Sequence, residues 1–173
     1  ATASIDTPTK IKEKEYPTIS YAGYEVMYNP KYKIPKWVKY ELMSTETDGP
    51  YSRKGLNFCQ DPSANLPQAD DYDYKNSGWS KGHMAPAADF KWSRQAMIET
   101  FYYTNCCQNQ SLNSGQWNTL EKKVREWANR YGCVTVVTGP LVWDNEYGAI
   151  GNNKVVVPDA FFKAILAYIS CYC

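Results

Sequence analysis

Ser80-Lys81-Gly82-His83-Met84-Ala85-Pro86-Ala87-Ala88-Asp89 holds the only histidine of the chain. The imidazole follows a glycine and precedes a proline, so the backbone is expected to turn sharply there and not to present a regular apolar face. A histidine held in an exposed turn titrates near neutrality and accepts a proton, which makes His83 the candidate general base. A lone histidine is more often structural than catalytic, so the decision passes to the residues downstream. There stands Asn105-Cys106-Cys107-Gln108-Asn109-Gln110-Ser111-Leu112-Asn113-Ser114-Gly115-Gln116-Trp117-Asn118-Thr119-Leu120-Glu121, a polar stretch that runs into a helical pattern.

Over 116–131, Trp117, Leu120, Val124, Trp127 and Tyr131 recur every three or four residues, with Lys122, Lys123, Arg125 and Arg130 largely on the other side. This predicts an amphipathic helix. Ser114 is its expected amino-terminal cap and Gly132 its stop. Apolar and polar residues alternate over 21–28 and 37–43, and β-branched or aromatic runs occupy 133–138, 154–157 and 161–169; all read as strands. The stretch 44–79 is rich in Asp, Pro, Gly, Ser and Asn, includes the acidic run Asp70, Asp71 and Asp73, and is long enough to be functional or mobile. Residues 1–17 read as a flexible leader without chemistry. Residues 18–173 then form a single α+β domain, a mainly antiparallel sheet flanked by helices, without internal repeats.

A chain of 173 residues, 43% of them hydrophobic, is enough for one core and too short for two. Its formal charge of +1 excludes a broad basic field, so any nucleic-acid contact must come from a local site. Fifteen tyrosines and six tryptophans suit half-buried strands or, less commonly, stacking on bases. The six cysteines, at 59, 106, 107, 133, 171 and 173, lack zinc-site spacing and are compatible with disulfides in an oxidising compartment. No apolar run approaches the roughly 20 residues needed to span a bilayer, and no signal-peptide pattern opens the chain. The expectation is a secreted or periplasmic protein in its mature form.

Three blocks carry a more specific signal: Gly82 to Asp89, then Glu99-Thr100-Phe101-Tyr102-Tyr103-Thr104-Asn105, then Leu112-Asn113 followed by Trp117, Leu120 and Glu121. In order and spacing these resemble the DNA/RNA non-specific endonucleases, the family of the Serratia nuclease, endonuclease G and the DNA-entry nucleases. Weaker similarity extends from about Tyr21 to Phe162. The resemblance implies a ββα-metal (His-Me finger) fold holding one divalent ion. Asn113 would be the only direct protein ligand, through its amide oxygen, with Glu121 holding water of the ion's shell. So sparse a site suits Mg²⁺, with Mn²⁺ able to stand in. Asn113 and Glu121, eight residues apart, can share a helix face. The bland reading makes Asn113 a cap and Glu121 a solvated charge.

The implied reaction hydrolyses DNA and RNA to 5′-phosphate products, with His83 as base and water of the ion's shell protonating the 3′ oxygen. Lys81 and either Arg53 or Lys54 would contact the phosphate, the spacing before Phe58 not separating the two. The family motif opens Asp-Arg-Gly-His where this chain has Ser80-Lys81-Gly82-His83. Lysine keeps the charge and loses the bidentate fork, so a weakened or inactive nucleic-acid-binding relative is the alternative. The domain also reads as short at its carboxyl end, where an uncovered sheet edge would favour a homodimer. Other rivals are a disulfide-stapled structural protein and a hydrolase built on Asp70, Asp71 and Asp73.

Overall fold

The computed structural model describes residues 16–167. In chain order the elements are β1 (Thr18–Ser20), β2 (Glu25–Asn29), β3 (Ile34–Met43), α1 (Asp71–Tyr74), β4 (Ser80–His83), α2 (Arg94–Glu99) and β5 (Cys106–Gln108). They continue with α3 (Gln110–Leu112), α4 (Asn118–Tyr131), β6 (Cys133–Leu141), β7 (Ala149–Ile150), β8 (Val155–Val156) and β9 (Ala160–Ala167). The predicted leader falls almost entirely on residues outside this description. Residues 16–17 are tied in, the carbonyl of Pro17 accepting from the Tyr28 amide at 2.9 Å.

Five strands make one sheet in the order β1-β2-β3-β6-β9, every pair antiparallel. Alternation explains it: Val38, Tyr40 and Leu42 of β3 and Val134 and Val136 of β6 are buried on one face, in register as Tyr40 opposite Val136 and Leu42 opposite Val134. Helix α4 covers that face with Val124 and Ala128, both fully buried. The one irregularity between β2 and β3 falls beside Pro35, which has no amide hydrogen for the ladder.

Gly132 ends α4 as expected: at φ +87° its amide donates to the Ala128 carbonyl at 2.8 Å. The start differs from expectation. The helical run opens earlier, at α3, where the side chain of Asn109 accepts from the amides of Ser111 and Leu112. It passes through a π-type turn over Asn113–Trp117, in which Gly115 leaves helical geometry, and Ser114 is not a cap. No helix among the described residues is long and apolar enough to cross a membrane.

Candidate active site

β4 and β5 pair with Ser80 opposite Gln108 and His83 opposite Cys106, so β4 spends an extra residue between the two pairs and bulges at Lys81-Gly82. The bulge needs its glycine. A Cβ on Gly82 would lie 2.3 Å from Oε1 and 2.5 Å from Cβ of the buried Gln108. The offset puts Lys81 at the surface of a cleft and turns His83 inward.

His83 is 8% exposed, which corrects the expectation of an exposed, turn-held histidine. Its ring packs 4.7 Å from Phe58 and edge-on, 4.9 Å, to Phe101. Burial, helped by the nearby Arg53 guanidinium, pushes the imidazole down to about 3, so the ring is neutral at neutral pH. Behind it, the backbone is clamped by buried Asn105. Its carbonyl oxygen Oδ1 accepts from the Ala85 amide at 2.8 Å, and its Nδ2 donates to the carbonyls of Ala85 at 2.9 Å and Thr100 at 3.1 Å. Trp117 adds a further tie, donating from Nε1 to the carbonyl of His83 at 3.2 Å. That bond joins the histidine strand to the helix that carries Asn113 and Glu121.

Lys81 and Asn113 line one cleft of about 780 Å³, together with Phe58 and Asp71. Lys81 pairs with Asp71, and its ammonium stands 5.7 Å from the Phe58 ring. Ser80, in place of the family's aspartate, donates to Gln110. Arg53 and Lys54 separate here: the Arg53 guanidinium sits 5.1 Å over Phe101 and acts electrostatically on both His83 and Glu121. Lys54 is exposed, and its amide bonds only locally, to Ser52.

Glu121 belongs to a half-buried charge cluster. Burial pushes its carboxyl up and the Lys163 ammonium down, each partly offset by the other's charge. Lys163 Nζ stands 4.5 Å from the Trp117 ring centroid. Beside them Arg125 donates to Asp89 at 2.7 Å, and the Tyr40 hydroxyl donates to its other oxygen at 2.7 Å. Asn105, Lys163 and Arg125 were not among the residues expected to matter here. Asn105 lies inside the second family block, whereas nothing in a strand pattern marks Lys163 as the residue that turns to a charge.

The donor set fits one sparsely held divalent ion. Asn113 is half-buried, lines the cleft and would offer its amide oxygen to such an ion, and no group of three or more His, Cys, Asp or Glu that could hold a metal occurs among the described residues. Asp71 of the acidic run pairs with Lys81, and the other two acids are structural. Asp70 caps α1 by accepting from the Asp73 amide, and buried Asp73 accepts from the backbone and side-chain nitrogens of Asn153 at 3.0 and 2.8 Å.

Similar proteins are named nucleases. Nuclease EXOG, mitochondrial, of Danio rerio is 42% identical over 158 residues, covering 85% of this chain and 46% of that protein. Endonuclease G, mitochondrial, of Homo sapiens is 35% identical over 158 residues, covering 85% and 53%. The chain thus spans about half the length of these relatives. The solved structure titled "Crystal structure of the EndoG/EndoGI complex: Mechanism of EndoG inhibition" superposes with a TM-score of 0.82 at 32% identity, covering 88% of this chain and 68% of that one. The β4, β5 and α3–α4 unit is the expected ββα-metal arrangement.

These relatives overturn the secreted or periplasmic expectation, since they are named mitochondrial nucleases. Cys59 and Cys133, two of the six cysteines compatible with disulfides, are free thiols. Cys171, Cys173 and the side chains of Cys106 and Cys107 lie outside the description. A sequence model of the DNA/RNA non-specific endonucleases matches residues 4–168, and with the shared fold this chain belongs to the DNA/RNA non-specific endonuclease family.

Proposed function

We propose that this chain hydrolyses phosphodiester bonds of DNA and RNA with little sequence preference, with His83 as general base and one Mg²⁺ held through Asn113. The observation that carries the reading is the bond from Trp117 to the His83 carbonyl, which holds a buried, neutral imidazole against the helix bearing the metal-type amide. A base must be unprotonated to work, and His83 is so at neutral pH. Its low basicity is set by burial and Arg53, and an arriving phosphodiester anion offsets the second of these.

Arg53 and Lys81 bind the non-bridging oxygens and align the phosphorus. The His83 imidazole takes a proton from water as the water oxygen bonds to phosphorus and the bond to the 3′ oxygen breaks, leaving a 5′ phosphate and a 3′ hydroxyl. When bound, Mg²⁺ supplies charge neutralisation at the phosphate oxygens and acidified water for the departing oxygen. Asn113 would hold the ion by its amide oxygen, and Glu121 would orient water around it. The Asp71 carboxylate on Lys81 supports a second reading, a catalytically weakened relative whose phosphate-binding cation is already engaged.

The test is cleavage of supercoiled plasmid and total RNA in Mg²⁺, beside EDTA and His83→Ala controls. Cutting of both substrates that stops in either control, with 5′-phosphate ends, is the expected result. A folded protein that retains nucleic acid without cutting it favours the second reading.

A further inference from the structure

The cleft that holds Lys81 and Asn113 has an aromatic wall that the proposed chemistry leaves unused. Tyr72 and Trp79 both line it. Tyr72 is 78% exposed, so its ring face is open to solvent at the cleft. Trp79 is half-buried and meets the ring of Tyr147 edge-on at 5.3 Å, and Tyr147 is itself 51% exposed. Chain connectivity brings both rings to the phosphate-binding cation: Tyr72 follows Asp71, the partner of Lys81, and Trp79 precedes Lys81 by two residues. Lys75 lines the same cleft.

The two ammonium groups of the cleft outnumber its one carboxylate, Asp71, so the exposed rings beside them suit an occupant that is anionic and flat together. A nucleotide is such an occupant: the phosphate meets lysine, and every base offers a π-face to an aromatic side chain. We propose that Tyr72 and Trp79 form a nucleobase-stacking subsite flanking the phosphate site, filled by an unpaired base. A base inside a duplex already has both faces stacked, so only a single-stranded or extruded base offers a free one. This rests on the nuclease reading.

The experiment measures binding of a labelled oligothymidylate and an abasic oligomer of the same length by anisotropy, in EDTA so that nothing is cut. The wild-type chain is expected to bind the base-bearing strand about fivefold or more tighter. Tyr72→Ala should lose most of that preference while its affinity for the abasic strand and its thermal midpoint stay unchanged. Trp79→Phe, which keeps a ring against Tyr147, should retain the preference, and Trp79→Leu should not. Equal wild-type affinity for both strands, or a Tyr72→Ala variant weakened equally on both, overturns the subsite and leaves the nuclease reading intact. No binding to either strand also overturns the subsite, and the cleavage assay in Mg²⁺ decides the nuclease reading separately.

Discussion

His83 and Lys81 stand two residues apart on one strand and live in opposite surroundings. His83 is enclosed by Phe58 and Phe101, its carbonyl is held by Trp117 and the turn after it is held by Asn105. Lys81 is partly exposed and has one ionic partner, Asp71, whose side chain is 66% exposed. The bulge at Gly82 creates the difference by turning the strand between them. The contrast separates two tasks. The group proposed to move a proton is fixed from several sides, as orientation requires. The group proposed to meet phosphate is held by a weak surface pair and is free to exchange partners.

The largest expected effect breaks the inner side. His83→Ala should lower kcat by about 10²–10⁴-fold while oligonucleotide affinity in EDTA stays within about twofold. Equal losses in both would mean that the residue organises the cleft and does no chemistry. Next comes Asn105→Ala, which strands the buried amide of Ala85 and the carbonyls of Ala85 and Thr100 without removing a charge. A loss of about 2–3 kcal/mol in urea unfolding is expected, together with reduced kcat. A variant that unfolds normally yet loses kcat would make Asn105 specific to the site.

The same burial sets a pH dependence. His83 titrates near 3 when folded and near its ordinary 6.5 when unfolded, so between those values the unfolded chain binds more protons. Stability present above pH 6.5 is therefore lost as pH falls, by up to about 1.4 kcal/mol per unit from this group. Urea midpoints at pH 7 and pH 4.5 should fall further in the wild type than in His83→Leu, where contributions of carboxylates common to both proteins cancel. Parallel curves would mean that the imidazole opens to water more readily than its packing indicates.

How much of this was legible in the sequence depends on where the partners lie. Helix α4 and its stop at Gly132 were readable because their determinants are local: a repeat of three and four residues and a glycine at positive φ. β2 and most of β3 were readable from alternation and β6, β8 and β9 from β-branched or aromatic runs, whereas the short β1, β4, β5 and β7 have too few residues to show a pattern, and Ile34 and Pro35 extend β3 beyond its alternating part. The family motifs named His83, Asn113 and Glu121. The burial of His83 was not readable, because the rings around it come from distant segments and its strand has only four residues. The acidic run left a rival hydrolase reading open for the same reason: Asn153, the partner of Asp73, lies far along the chain. Arg53 and Lys54 are indistinguishable as neighbours in sequence and distinct once Phe101 lies beneath one of them.

That last distinction predicts a smaller effect on the outer side. Arg53→Ala should raise KM about tenfold and lower kcat, and Lys54→Ala should leave both within about twofold, measured on a plasmid substrate. The reverse ranking would mean that the guanidinium serves packing on Phe101 and that Lys54 reaches the phosphate.

The smallest effect tests the outer side directly. Lys81 draws the Asp71 carboxyl below its ordinary range, and the Tyr103 hydroxyl donates to the same oxygen at 3.3 Å. An exposed pair of this kind is worth little to stability, at most about 1 kcal/mol before screening. Its cost falls on binding, since a phosphate must displace a carboxylate from the ammonium. Asp71→Asn keeps the shape and the bond from Tyr103 while freeing the lysine. It should lower KM by about two- to threefold and steepen the salt dependence of binding by up to one phosphate contact, with kcat and melting nearly unchanged. If KM rises instead, the aspartate is what aims Lys81 into the cleft, and the outer side is as deliberately fixed as the inner one.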